Sequence, residues 1–580
     1  MSPTATHISP DELFALLLAE PLAEPVTELA VLDVRETRWF VQRHLNLARN
    51  APFSGLELQV GALVPRRSTP VVLIDDRGAS DGVARQAAAV LARLGYTDVR
   101  TLAGGLQRWL AEGLPAIDGY GTLVKAFGDR VRLHYGTPGL PVEALRERLR
   151  AGRPTTLVDA RPRAEFEFLS LPGALNHPGT ELALRRFAPD GLEGPNGPNA
   201  RLDDHLWAIN CFSRTRGIVG ATTLRLLGRA SDAVFVEDGV MDWGLHGAPT
   251  VQNAAPPDEL PPESPALLRG IADDLLRSFA LPLADAAQLA RWRHDDARTL
   301  HVFDVRPEAD PALAGTGVRH VPGGQLLMHF ENLVGTRGAR IVLVDDPAHR
   351  LRAAITAFWL TQLGQAEVHV YDGEFLPAQA PVASSAAIDD APPPMAPDAL
   401  GALQASGAVT VIDVGPSLDY ERGHLEGALF LLPASLEALA PLAAQATAGR
   451  TFVFTSPDGM LAARVARDAQ RRWQGAQRTQ LAQDSGAVFT WLQGGTQGWK
   501  ASGRPLATAF APDQLLTPFD DDWGSVMRVF GPRRDAAWAD YLAWERALSE
   551  RVLQDPSVRF RFFALSARRP AQAWGRAARS

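Results

Sequence analysis

The chain has 580 residues, 46% of them hydrophobic and 21% charged, with a formal net charge of -8 and a pI near 5.9. That is ordinary globular composition, in a length that suggests about four folding units. The acidic balance argues against nucleic acid as the main partner, and no apolar run reaches the roughly 20 residues needed to span a bilayer.

The N-terminus, MSPTATHISPDEL, lacks a basic segment followed by an apolar core. No signal peptide is expected, and the chain reads as cytoplasmic. Ser9 is placed as the N-cap and Pro10 as the first residue of a helix through LFALLLAE. The strand AVLDVRE follows, ending near Asp33. This helix-then-strand pattern recurs: TLVDARP ends near Asp159, HVFDVRP near Asp304 and TVIDVGP near Asp413, the last after a helix opened by Ala396-Pro397-Asp398. A second apolar run closes 41 or 42 positions later in three copies, at Asp75, Asp345 and Thr455. In the second copy it closes at Cys211, 52 positions on, which fits the turn-rich insertion GLEGPNGPNARLD. A short polar loop and an Ala/Leu-rich helix come next each time. A Gly-x3-Trp signature ends three copies, at Gly105/Trp109, Gly239/Trp243 and Gly495/Trp499, and has decayed to YDGEFLP in the third.

A fourfold repeat of alternating strands and helices implies α/β units, each a parallel sheet covered on both faces. The expected domains are 1–120, 134–252, 272–382 and 393–508. Pro/Ala/Ser-rich linkers fall near 250–268 and 378–396, and a less distinct one near 118–141. Residues 509–580 match no repeat and form an extension. In it Trp538, Tyr541, Trp544, Leu548 and Val552 recur at helical spacing, the mark of a stripe packed on a neighbour. Asp520-Asp521-Asp522 reads as a solvated turn.

These motifs resemble the rhodanese family: Asp-x-Arg at an early strand end, a His/Pro/Gly-Ala stretch such as GHLEGA (423–428), an active loop, then Gly-Gly-x3-Trp. Taken whole, the chain is similar to the four-domain rhodanese-related sulfurtransferases of bacteria. The resemblance implies a catalytic cysteine at the start of the loop between a central strand and its helix. Cys211, the only cysteine, occupies that place. Asp75, Asp345 and Thr455, each followed by Asp76, Asp346 and Ser456, stand at the matching places, so one unit is expected to be active and three inactive. A single cysteine also excludes a disulfide framework and a Cys-rich metal site. No metal or organic cofactor is required by the chemistry.

Sulfur transfer needs a thiolate. The loop Cys211-Phe212-Ser213-Arg214-Thr215-Arg216, followed by Gly217, offers helix-start amides, a nest of loop amides, and two permanent cations. Arginines at a helix start oppose the dipole, so a nearby anion is expected to explain Arg214 and Arg216. The expected cycle is ping-pong. A small anionic donor such as thiosulfate docks on the two arginines and the loop, with Phe212, Ser213, Thr215 and Gly217 as binding residues. Cys211 takes the outer sulfur, and a thiol or cyanide removes it. Asp159 and Arg161 are assigned to structural support, and His44, His320 and His424 to packing or structural hydrogen bonds. In two-domain thiosulfate enzymes a basic residue often lies six places after the aspartate. Glu165 stands there, which leaves the donor open. Two other readings remain: a non-catalytic scaffold with a redox-sensitive Cys211, and a phosphatase or arsenate reductase. The latter uses Cys-x5-Arg, whereas Arg216 falls one position short. Oligomeric state and acceptor are not legible, and an inactive unit closing over the second would add contacts no single-unit motif shows.

Overall fold

The structure, a computed structural model, describes residues 6–79, 82–187, 205–254, 259–373, 388–444, 450–476 and 487–564. The insertion at 191–203 and much of the 378–396 linker lie outside the described residues.

Four sheets follow one another along the chain. The first runs Thr6–Ile8, Val99–Leu102, Val71–Ile74, Leu29–Asp33, with Arg49–Asn50 pairing the last. The second runs Gly139–Leu140, Val234–Val236, Leu206–Asn210, Thr155–Asp159, Leu175–Asn176. The third runs Leu283–Ala284, Glu367–Tyr371, Arg340–Val344, Leu300–Asp304, Arg319–His320, and the fourth Leu429–Phe430, Val409–Asp413, Thr451–Thr455, Val488–Trp491. Pairing inside each unit is parallel. The central strands are mostly apolar and buried beyond their first residues because helices cover both faces. The expected α/β architecture of four units, with a helical extension, is what the chain forms. Ser9 caps the helix Pro10–Leu18 in a capping box with Glu12, as its sequence indicates.

Register corrects one equivalence. Asp159, Asp33, Asp304 and Asp413 pair with Asn210, Ile74, Val344 and Thr455. The places matching Cys211 are therefore Asp75, Asp345 and Ser456, one residue beyond Thr455. The closing glycine explains its own presence: Gly239 has φ of +54°, and a Cβ there would lie 2.2 Å from the Cys211 carbonyl oxygen. Four residues on, the indole N–H of Trp243 donates to the Pro249 carbonyl, as Trp109 does to Pro115 and Trp499 to Pro505.

The units are joined by more than linkers. The region near 118–141 contains a helix, Thr122–Tyr135, and a second connector helix, Pro265–Ser278, begins within the 250–268 segment. Strand Thr336–Arg337 of the third unit pairs antiparallel with Leu29–Asp33 of the first. Arg467 of the fourth unit clamps Glu57 of the first at 2.7 and 2.8 Å. Trp359 of the third donates to Thr223 of the second at 3.0 Å. Of the expected stripe, helix Arg534–Leu553 buries Trp538, Leu548 and Val552, while Tyr541 and Trp544 are half-buried. Trp538 meets the ring of Phe212 edge-on at 5.7 Å. The acidic triplet is not simply solvated: Asp520 accepts from Arg38, Asp521 from the Ser417 amide and Asp522 from Arg528. No helix among the described residues is long and apolar enough to cross a membrane.

Candidate active site

Cys211 follows strand Leu206–Asn210 and precedes helix Thr215–Leu226. It is 2% exposed, and its sulfur lies beside the Gly217 amide, in the first turn of that helix. The other units use the same cradle. Asp75 accepts from the amides of Gly78 (2.6 Å) and Ala84 (3.1 Å), Asp345 from Asp346 (2.7 Å) and Ala353 (3.2 Å), and the Ser456 hydroxyl from Ala462 (3.2 Å). Two of these three occupants are carboxylates, so the place suits an anion, as free amides at a helix start should.

Behind the loop, Arg161 binds both oxygens of Asp159 and the Leu169 carbonyl, with both side chains fully buried. The guanidinium also lies over the Phe212 ring at 5.7 Å. Asp33/Arg35 and Asp304/Arg306 repeat this pair in units without a thiol. The fourth unit has Gly415 where the arginine would be, and burial pushes the unpaired Asp413 carboxyl up to about 7. His44, His320 and His424 each bond a backbone carbonyl.

The thiol opens on a cavity of about 170 Å³. Of the expected loop residues, Phe212, Ser213, Thr215 and Arg216 line it with Cys211. Arg214 and Gly217 do not. The Arg214 guanidinium turns away to Asp129 and Asp238, at 3.0 and 3.1 Å. Arg216 faces the cavity but is held by Glu165 through two bonds of 2.7 Å. The anions expected beside these arginines are thus carboxylates of the protein itself. Burial pushes Glu165 up, but Arg216 pulls it further, so it lies below the usual carboxylate range.

The expectation of a favoured thiolate does not hold for the resting site. Burial pushes the Cys211 thiol up to about 11, outweighing the pull of Arg216 and the Gly217 amide, while Asp159 and Glu545 add to the rise. Desolvation of a small anion is costly, and one helix end with one already paired arginine does not offset it.

Much of the cavity comes from outside the second unit. The connector helix supplies Lys125, which is half-buried, donates to the Tyr120 carbonyl and lies 5.6 Å from the Tyr541 ring. Gly128 lets that helix approach the loop: a Cβ there would lie 2.6 Å from the Thr215 methyl. The third unit supplies Met328, His329 and Glu331. The Glu331 carboxylate accepts from the amides of Leu123 (3.4 Å) and Val124 (3.3 Å), capping the connector helix. The extension supplies Trp523, stacked on Tyr120 at 5.0 Å, together with Tyr541 and Glu545. Both oxygens of Glu545 are buried without a hydrogen-bond partner, and burial raises its pKa, as it does that of Tyr541. The Ser213 hydroxyl stands close to both. Sequence reasoning missed Lys125, Glu331, Tyr541 and Glu545. Only Tyr541 left a trace, in the helical stripe.

Residues 15–112 and 396–502 match the family model of the rhodanese-like domain. No curated protein matches the chain. A crystal structure of thiosulfate sulfurtransferase from Pseudomonas aeruginosa is 29% identical, covers 96% of this chain and 99% of its own, and superposes with a TM-score of 0.80. A rhodanese-related protein from Thermoplasma volcanium is 28% identical over 19% of this chain and 97% of its own, at a TM-score of 0.16.

Proposed function

We infer that the chain, whose first and fourth units match the rhodanese-like domain, is a sulfurtransferase working through a persulfide on Cys211. Sulfurtransferase activity in general is supported by the full-length likeness to the Pseudomonas enzyme. The observation that supports the finer reading is the placement of the chain's one sulfur nucleophile at a helix start, in the loop position filled by carboxylates in two other units, where it opens on a cavity lined by charged groups.

The cycle begins with a protonated thiol. An anionic donor such as thiosulfate enters the cavity and draws Arg216 from Glu165, with Lys125 as a second cation. As the donor excludes water and Arg216 turns to the reacting sulfurs, negative charge on Cys211 becomes less costly. The Cys211 sulfur attacks the outer sulfur of thiosulfate, the sulfur–sulfur bond of the donor breaks, and sulfite leaves with the electron pair. The thiol proton ends on the outer sulfur of the new persulfide or, at higher pH, in solvent. An acceptor, cyanide or a thiol, then attacks that outer sulfur and regenerates Cys211 as thiolate or thiol. Asp159 and Arg161 hold the strand end and Phe212 from behind.

The test is intact mass after incubation with thiosulfate, mercaptopyruvate or a persulfide donor. A gain of one sulfur atom on the native protein, absent from Cys211→Ser, is expected. No gain with any donor leaves a scaffold with an inert thiol.

A further inference from the structure

A second cavity, about 510 Å³, lies between the second and third units. Its volume is that of pockets for organic ligands, which run about 300–1,000 Å³. Helix Thr215–Leu226 contributes Val219 and Thr223 to its wall, and helix Leu351–Leu363 contributes Ile355 and Trp359. The units touch at one edge through two glycines: a Cβ on Gly179 would lie 2.7 Å from the Gly324 Cα. The larger side chains of the two helices face the space beyond.

This cleft is not separate from the chemistry. Arg216 and Met328 line both it and the Cys211 cavity, so these two side chains form the partition between the compartments. The two spaces differ in kind. The smaller is ringed by Lys125, Arg216 and carboxylates and suits a compact charged donor. The larger has an apolar floor of Leu327, Met328, Ile355 and Trp359, with Arg163 and Arg185 among its polar residues. Arg163 donates to Glu167 at 2.7 Å through its Nε, and one of its terminal nitrogens is buried without a hydrogen-bond partner.

We propose that the cleft is the acceptor site, and that its occupant is an organic thiol with an apolar, ring-sized body and an anionic head group. The head binds at Arg163, the body lies on Trp359 and Ile355, and the thiol reaches the Cys211 persulfide past Arg216 and Met328. The proposal rests on the persulfide reading above. In the step, the acceptor sulfur bonds to the outer persulfide sulfur, the bond from that sulfur to Cys211 breaks, and the electron pair stays on Cys211. The acceptor's proton passes to Cys211, so thiol plus enzyme persulfide gives organic persulfide plus enzyme thiol, with no external oxidant or reductant.

The test uses the full chain and 4-mercaptophenylacetate as probe acceptor, with cyanide as the small comparator. The persulfide is loaded, freed of donor and discharged in a single turnover. In Val219→Trp and Gln325→Trp, which fill the cleft from opposite walls, the ratio of aromatic-thiol to cyanide discharge rates is expected to fall about tenfold, and in Arg163→Ala by a similar factor. An unchanged ratio in both filling variants overturns the proposal. Independently, the unreactive thioether 4-(methylthio)phenylacetate is titrated calorimetrically into unloaded protein. Saturable binding lost in Val219→Trp is expected, and no binding to the native protein counts against the cleft. If no donor loads Cys211, the persulfide reading fails, while the thioether titration still decides whether the cleft takes such a ligand.

Discussion

Glu165 and Arg216 face each other in the wall of the Cys211 cavity, joined by two parallel bonds of 2.7 Å each. A bidentate carboxylate pair is among the stronger side-chain contacts. It also occupies the two guanidinium nitrogens that an anionic donor would use. The pair therefore acts as a competitor for the donor, and the six-residue offset from Asp159 that places a carboxylate here sets how hard the donor must compete.

Glu165→Gln tests this directly. The amide keeps the shape and removes the charge, so KM for thiosulfate is expected to fall about tenfold, the equivalent of ~1.4 kcal/mol. Arg216→Ala should lower kcat/KM about ten- to hundredfold, the range for losing hydrogen bonds to a charged group. Arg214→Ala, whose guanidinium is spent on Asp129 and Asp238, should instead lower stability with a smaller change in KM. Steady-state kinetics beside thermal melts separate these outcomes.

The buried thiol gives a pH signature. Its folded pKa of about 11 lies above the ~8.5 of an unfolded cysteine, so the folded chain holds the proton more tightly. The contribution is fully present below about pH 8.5 and is lost as pH rises toward 11, by about 3 kcal/mol in all. Denaturant melts from pH 8 to 10.5 should show native stability falling faster than that of Cys211→Ser. Parallel curves would mean that the thiol ionises as freely in the fold as in solution.

Ser456→Cys, made in Cys211→Ser, places a thiol at the register-matched site of the fourth unit. Its loop, Ser456-Pro457-Asp458-Gly459, carries no arginine. Alkylation of the new thiol is expected without restored persulfide loading, read by intact mass. Loading by thiosulfate there would show that the cradle alone suffices.

How much of this was legible depends on how far each signal reaches. The four units, the Asp-x-Arg pairs and the Cys211 loop lie in local patterns: strand periodicity, an aspartate two places before its arginine, a glycine four before a tryptophan. Those were readable because each is enforced inside one unit. An apolar run marks a strand end only to within a residue, which puts Thr455 in the place of Ser456, whereas pairing with Asp413 defines the end. Arg214 and Arg216 were indistinguishable as letters, and only the positions of Asp238 and Glu165 in space separate them. Lys125, Glu331 and Glu545 come from a connector, another unit and the extension. Their encounter with Cys211 depends on packing between units, for which a single sequence carries no periodic mark.

Trp538→Ala probes the extension's hold on the site. The indole is 1% exposed, packs on Phe212 and Gly244, and donates to the Val526 carbonyl at 3.0 Å. Truncating a buried aromatic costs about 3–5 kcal/mol. Because Phe212 follows Cys211, loading should slow as well, even at temperatures where the chain remains folded. Stopped loading kinetics at 15 °C below the midpoint, about that margin being needed to keep the population native, would distinguish the two effects.

Glu545 offers the sharpest test of the assembled cavity. Its charge opposes a thiolate at Cys211, while Arg216 favours one. Glu545→Gln removes the opposing charge without changing shape, and relieves a buried carboxylate that has no hydrogen-bond partner. The Cys211 pKa should therefore fall, and stability should hold or rise, since an unpaired buried charge is a cost rather than a support. Arg216→Met should move the thiol the other way. The groups facing Glu545 are Lys125, Arg214, Asp238, Tyr541 and Ser213, so Lys125→Met must be run alongside to separate a direct effect from one relayed through the lysine. The measurement is the rate of alkylation by iodoacetamide from pH 7 to 11. Opposite displacements of the profile in Glu545→Gln and Arg216→Met are expected. Superimposable profiles would mean that the extension covers the cavity without acting on the sulfur.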